Sequence, residues 1–117
     1  MNRSTLRIGI LIFGLFTAVV HLYLNVRMGG FDPAFTANGL GYLALLGLFF
    51  FNPPFLAGRE RLLHYVFMGF AAVTILAYFV INEQRFTDVI GLITKTDEIL
   101  LILSLWQHLR LTEKAAG

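Results

Sequence analysis

Cysteine is absent from the chain, which excludes disulfides, thiolate metal sites and a cysteine nucleophile. Charge is scarce as well: only 14% of the 117 residues are Asp, Glu, Lys or Arg, where a soluble domain carries about 25%. The 9 basic and 7 acidic residues lie mainly between apolar runs, not in one block. Nucleic-acid binding therefore has no basic footprint to rest on. The sequence holds no nucleotide-binding motif, no HExxH and no Ser/His/Asp set. Enzyme chemistry would have to rest on His21 and Glu98 alone, so the reading assigns no catalytic residue, no metal site and no cofactor.

In place of charge stands apolar surface. Hydrophobic residues make up 57% of the chain, Phe occurs 12 times, and the mean hydropathy is +0.74. Four apolar segments follow one another. The first, residues 8–26, holds one ionisable group in 19 residues, His21, and at 1.5 Å per residue measures about 28 Å, near the hydrocarbon thickness. A cleaved signal peptide is the competing reading, but its apolar stretch is shorter and ends at a small-residue cleavage site, whereas this one runs on through His21-Leu22-Tyr23-Leu24-Asn25-Val26-Arg27. The second, 35–51, is bounded by Gly29-Gly30 and Asp32-Pro33 before it and Asn52-Pro53-Pro54 after it, residues that stop or start helices for steric reasons. The third, 62–81, ends at Asn82-Glu83-Gln84-Arg85, which suits a tight helical hairpin. Uninterrupted apolar runs lack the period-two alternation of a barrel wall, so helices are expected throughout.

The fourth segment, 89–109, is broken by Lys95-Thr96-Asp97-Glu98. A central Lys or Asp costs about 2.5 to 3.5 kcal/mol on insertion scales, so one continuous span needs partners for these groups. Lys95 and Glu98 are three apart on one helical face and can pair. The alternative is a short interfacial helix over 99–111. The run Ile99-Leu100-Leu101-Ile102-Leu103-Ser104-Leu105-Trp106 has no polar stripe, which argues against it. The fold expected is an all-α antiparallel bundle of four transmembrane helices in one domain, multi-pass in the cell membrane with the lipid bilayer as its surroundings. Arg3, Arg7, Arg59, Arg61, Arg110 and Lys114 then fall on one side and only Arg27 and Arg85 on the other, which sets both termini in the cytoplasm. A three-span chain would put the C-terminus outside and weaken that bias.

Counted inward from the outer helix ends, His21 is about 8 Å deep, Asn38 and Tyr78 about 5 Å, Lys95 about 9 Å and Glu98 about 14 Å. Gly14, Thr17, His21 and Asn25 share one stripe of the first helix, Asn38 and Tyr42 one of the second, and Ala71, Thr74 and Tyr78 one of the third. A shared polar interior site of His21, Asn38, Tyr42, Tyr78, Lys95 and Glu98 is therefore expected, with Lys95 and Glu98 its strongest members. Asp97 points elsewhere, in line with Leu101, Ser104 and His108, toward another helix, an oligomer partner or lipid.

Each residue also has a plain structural reading. Thr17, Thr74 and Ser104 read as interhelical or helix-to-backbone hydrogen bonders, worth about 0.6 kcal/mol on average. Gly39, Gly41, Gly47, Gly69 and Ala71-Ala72 read as small residues that let helices approach, with Ala37 and Gly41 in small-x-x-x-small spacing. Tyr42 and Tyr78 read as packing rings whose hydroxyls find a partner. His64 and His108, near the cytoplasmic ends, read as surface imidazoles. A bis-histidine haem needs two ligands at matched depth, and neither matches His21. The Lys95–Glu98 pair can simply fix helix register.

The runs Ala18-Val19-Val20-His21-Leu22-Tyr23-Leu24 and Asn38-Gly39-Leu40-Gly41-Tyr42-Leu43-Ala44-Leu45-Leu46, together with stretches 69–78 and 91–103, resemble a group of small four-helix integral membrane proteins of haloarchaea and Chloroflexota-like bacteria. The resemblance implies a polytopic membrane fold, highlights His21, Asn38, Tyr42, Lys95 and Glu98, and implies no activity. Where that pattern has an Asp before the lysine, this chain has Thr94, with Asp97 further on. Three functional readings follow: a membrane protein whose polar interior handles protons, ions or a small solute; an accessory or structural subunit, as a homo-oligomer or in a larger membrane complex; and, weakest, a membrane enzyme.

Overall fold

The computed structural model describes residues 2–27, 33–51, 53–56, 58–81 and 89–116. The described residues form four α-helices and no strand: α1 (Arg3–Arg27), α2 (Pro33–Phe51), α3 (Glu60–Ile81) and α4 (Val89–Ala116), with a short 3-10 turn at Pro54–Leu56. The expected joints at Gly29-Gly30 and Asp32, at Asn52 and at Asn82-Glu83-Gln84-Arg85 lie outside the described residues, as does the side chain of Asn25.

The helix starts follow from local chemistry. Asn2 caps α1 through its Oδ1, which accepts from the Thr5 amide at 2.8 Å, and so meets one of the backbone donors a helix start leaves open. Pro33 opens α2, a position that needs no amide hydrogen and favours proline's fixed φ. Gly58 precedes α3 with φ +76°, a left-handed conformation that costs a residue with a Cβ.

Contacts between helices pair early residues with late ones. Leu22 faces Gly39 and Gly14 faces Leu46 across α1 and α2; Thr17 reaches Glu98 across α1 and α4; Thr74 meets Asn38 across α3 and α2; Arg61 meets Glu113 across α3 and α4. The bundle is thus antiparallel throughout. α1 packs against α2 and α4, α3 against α4, and a thinner α2–α3 contact closes the ring. Its long axis is 48 Å.

α4 decides the question raised by the Lys95-Thr96-Asp97-Glu98 break. It is one helix of 28 residues, continuous through all four, and not two pieces with an interfacial second half. Its length nonetheless comes with too much charge: among the described residues, the two helices long and apolar enough to cross a membrane are Arg3–Leu24 and Glu60–Val80, with Thr36–Phe51 a shorter apolar helix. Four spans are therefore not shown by these properties.

Large apolar side chains cover much of the outside of the bundle as well as its core, and several ionisable groups are buried. Ile12, Val19, Leu40, Leu62, Val73, Leu76, Val80 and Leu103 are exposed, while Lys95, Asp97, Glu98, His21, His64 and His108 are buried. Only 33% of the apolar window in α1 and 22% of that in α3 lies inside the bundle, whereas the core helix of a soluble protein is mostly covered. Tyr65 and Tyr23 stand exposed near helix ends, and Trp106 stands exposed in the second half of α4.

Of the small residues singled out from sequence, Gly39 and Gly41 sit at close approaches. A Cβ on Gly39 would come within 2.6 Å of Leu22 and 3.1 Å of the Ala18 carbonyl oxygen, and one on Gly41 within 2.5 Å of the Phe70 ring. Gly69 is different from the reading above: it faces open space, with nothing within 4 Å of an added Cβ. Gly47 is nearly as open, its nearest neighbour being its own helix's Phe51 at 3.9 Å. Ala37, the other half of the small-residue spacing, is exposed.

Candidate functional site

Glu98 is the centre of the polar interior. Its side chain is fully buried and that of Lys95 is 6% exposed. The two are three residues apart on α4, which places both on one face and lets Lys95 Nζ donate to Glu98 Oε1 at 2.5 Å. The second carboxylate oxygen takes two further donors from two other helices: Thr17 Oγ1 of α1 at 3.1 Å and the Tyr42 hydroxyl of α2. One carboxylate therefore ties three helices together, with a donor from each.

The surroundings extend this network. His21 Nδ1 lies 2.7 Å from the Thr17 carbonyl oxygen. A carbonyl only accepts, so Nδ1 carries a hydrogen, and the same nitrogen lies 3.2 Å from Thr17 Oγ1. The Thr17 hydroxyl thus receives from His21 while donating to Glu98. The His21 and Tyr42 rings stand 5.9 Å apart. Lys95 Nζ is 5.2 Å from the centre of the Tyr78 ring, whose negative face attracts the ammonium. Thr74 Oγ1 donates to Asn38 Oδ1 at 2.7 Å and lies 2.9 Å from the Phe70 carbonyl one turn back. Phe70 packs edge-on against Tyr42 at 4.8 Å.

All six residues singled out from sequence lie in this region. His21, Tyr42, Lys95 and Glu98 form its hydrogen-bonded heart, Tyr78 backs Lys95, and Asn38 joins through Thr74. Thr17 is the addition: it reads from sequence as a plain helix hydrogen bonder, yet it donates directly to Glu98. Its place on the stripe of His21, one turn earlier, is the signal that marks it.

A second buried polar pair is found where surface imidazoles are expected. His64 and His108 are 2% and 6% exposed, with His64 Nε2 and His108 Nδ1 at 2.9 Å and the rings stacked at 5.1 Å. His64 Nδ1 lies 2.6 Å from the Glu60 carbonyl oxygen and so holds its hydrogen there. His64 Nε2 is then the acceptor and His108 Nδ1 the donor. Phe49 packs edge-on against both rings, and Arg7 stands over Phe49 and Phe50 at 5.3 and 4.7 Å. Ten residues of α4 separate His108 from Glu98, about 15 Å. The buried Leu101, Leu105, Phe67 and Ile10 fill the core, so an apolar layer stands between the two polar groups.

Asp97 belongs to neither. It is 9% exposed, and its Oδ2 is buried with no hydrogen-bond partner among the described residues. It lines an open depression of about 370 Å3 with Phe16, Ile93, Thr96 and Leu100. Thr94 is buried and donates to the Ile90 carbonyl at 2.7 Å. Among the described residues no three histidine or carboxylate groups converge as metal ligands. No protein-family model, no curated protein and no solved structure matches the chain.

Proposed function

We propose that the chain is a small multi-pass membrane protein whose four helices all cross the bilayer, with both termini in the cytoplasm, and that its enclosed Glu98 cluster handles a proton or a small ion. The observation that carries this reading is the pairing of an apolar exterior with a fully buried carboxylate held by Lys95, Tyr42 and Thr17. With its charged groups turned inward and paired, α4 can cross despite its composition, because the insertion cost of Lys95 and Glu98 is offset inside the bundle. The six-to-two distribution of basic residues supports the orientation.

Chemically, the cluster is a contiguous run of exchangeable hydrogens around one acceptor: the Lys95 ammonium, the Tyr42 and Thr17 hydroxyls and, through Thr17, the His21 ring, gathered on the Glu98 carboxylate. A proton can shift along such contacts without any heavy atom moving far. A bulky solute fits this reading less well, since neither the depression beside Asp97 nor the one lined by Gln107, Arg110, Leu111 and Lys114 touches Glu98. Buried ion pairs are commonly no more stabilising than well-packed apolar residues, so a Lys–Glu pair at the centre of a membrane bundle calls for a use beyond stability.

The apolar layer of Leu101, Leu105, Phe67 and Ile10 favours a second reading, in which the cluster fixes the register of a subunit within a homo-oligomer or a larger membrane complex and conducts nothing. Proton flux into proteoliposomes separates the two. Purified protein that raises proton leak above that of empty vesicles, and loses the effect in the Lys95→Met, Glu98→Gln double variant at parental folding stability, supports proton handling; leak equal to that of empty vesicles under pH and ion gradients supports the register role.

A further inference from the structure

Among the buried ionisable side chains, Asp97 alone is left out of both polar groups, and its surroundings define what it can bind. It sits on α4 about 12 Å inward from the outer helix end, on the flank facing α1, in the depression formed with Phe16, Ile93, Thr96 and Leu100. Every other wall of that depression except Thr96 is hydrocarbon. The Thr96 hydroxyl is committed to the Leu92 carbonyl at 2.9 Å. Lys95, two residues earlier, is committed to Glu98 on another face. Glu98 itself is saturated by three donors. From α1, no Asp, Glu, Lys or Arg lies between Arg7 and Arg27, and His21 is turned to Thr17. From α3, Glu60, Arg61, His64 and Tyr65 lie toward the far end of the bundle, and Tyr78, at the near end, packs over Lys95 at 5.2 Å.

An ionised carboxylate at this place would have neither counterion nor donor, and an unpaired charge in a low-dielectric setting neutralises instead. A metal cation is a poor fit, because Na+ or Ca2+ would need several oxygen ligands and the neighbouring oxygens are engaged. A hydrogen ion needs one. We propose that Asp97 is a proton-binding site opening sideways through the α1–α4 face into lipid, separate from the Glu98 cluster. The inference rests on the membrane placement proposed above and not on any role for Glu98.

Such a site has a chemical signature. A protonated carboxyl in an apolar setting reacts with a lipid-soluble carbodiimide: the acid proton passes to a carbodiimide nitrogen, and the carboxylate oxygen attacks the central carbon to give an O-acylisourea. Transfer of the acyl group from oxygen to nitrogen then leaves a stable N-acylurea, with every atom of both reactants retained. The test is to treat the intact chain in detergent micelles and in vesicles with dicyclohexylcarbodiimide, and in parallel with a water-soluble carbodiimide, and to map adducts by mass spectrometry.

The expected result is an adduct of the lipid-soluble reagent at Asp97, falling roughly tenfold from mildly acidic to mildly alkaline buffer as the acid form is lost, with the water-soluble reagent sparing Asp97. Asp97→Asn should abolish the adduct. Should that variant fail to fold, the wild-type map and its pH dependence still decide. Modification at Glu98 with Asp97 spared would overturn the inference, as would labelling of Asp97 that is independent of pH. So would a shift from dimer to monomer in Asp97→Asn by analytical ultracentrifugation, which would make the depression a contact between copies. None of these outcomes depends on flux through Glu98, so the two proposals fail separately.

Discussion

Removing one member of the Lys95–Glu98 pair is the sharpest perturbation of the fold. In Lys95→Met, Glu98 keeps the Tyr42 and Thr17 donors on one oxygen but loses its Lys95 cation, at 2.5 Å. In Glu98→Gln, the ammonium of Lys95 is left facing the Tyr78 ring at 5.2 Å, a contact worth about 2 kcal/mol at most when desolvated. Breaking a buried pair on one side costs about 3 to 5 kcal/mol, because the partner's charge is uncompensated. Each single variant should therefore melt well below the parent in detergent, or survive only by neutralising the orphaned group. Lys95→Met with Glu98→Gln leaves no charge, and two side chains of similar length occupy the same space. The Gln amide oxygen still accepts from Thr17 and Tyr42. The double variant should recover most of the loss, leaving a net cost of about 1 kcal/mol, near one lost hydrogen bond. Thermal melts followed by circular dichroism, or denaturant titration in mixed micelles, read the cycle. Singles that each cost under about 1 kcal/mol, or a double that costs their sum, would refute the claim that the two charges are buried against each other.

Other consequences follow from the same packing. Gly41→Leu should destabilise the bundle by about 1 to 3 kcal/mol, because the added side chain meets the Phe70 ring, whereas Gly69→Leu should be tolerated within about 0.5 kcal/mol, as shown by paired detergent melts. His64→Ala should cost about 1 to 3 kcal/mol by leaving the His108 Nδ1 hydrogen without an acceptor; an unchanged melt would contradict the buried pair. Reporter fusions after Ser4, Gly58 and Gly117 should score cytoplasmic and fusions within 29–33 and 82–85 external. A C-terminal fusion found outside would sink the four-span topology.

Much of the interior could be read from spacing, because a helix places residues three and four apart on one face. Lys95 with Glu98 and Asn38 with Tyr42 were legible in that way, and helix depth brought them to one level. The continuity of α4 was legible only through the argument that Lys95 and Glu98 can satisfy one another; composition by itself points to a break. Two features needed the third dimension. Counting along one helix places His64 and His108 near the surface, but their burial comes from the α3–α4 hairpin register, in which Gly91 lies against Tyr78 and residue 108 falls opposite 64. Pairing the two helices outward from residues 82–88 would have found it. Gly69 fails for the opposite reason. A small residue on an apolar helix permits a close approach without requiring one, and the facing direction of α3 at that point is set by Phe67, Met68 and Ala71, which take the core positions. Thr17 lay on the right stripe, and what spacing does not give is which acceptor its hydroxyl chooses.

The central claim, that the enclosed Glu98 cluster carries a proton through a lipid-embedded bundle, is tested most directly by proton flux in proteoliposomes holding the Lys95→Met, Glu98→Gln double variant at parental folding stability. With the fold recovered and the titratable pair gone, the account predicts that wild-type vesicles conduct and double-variant vesicles match empty ones. Equal flux from the parent and the double variant, or none from either, would contradict it.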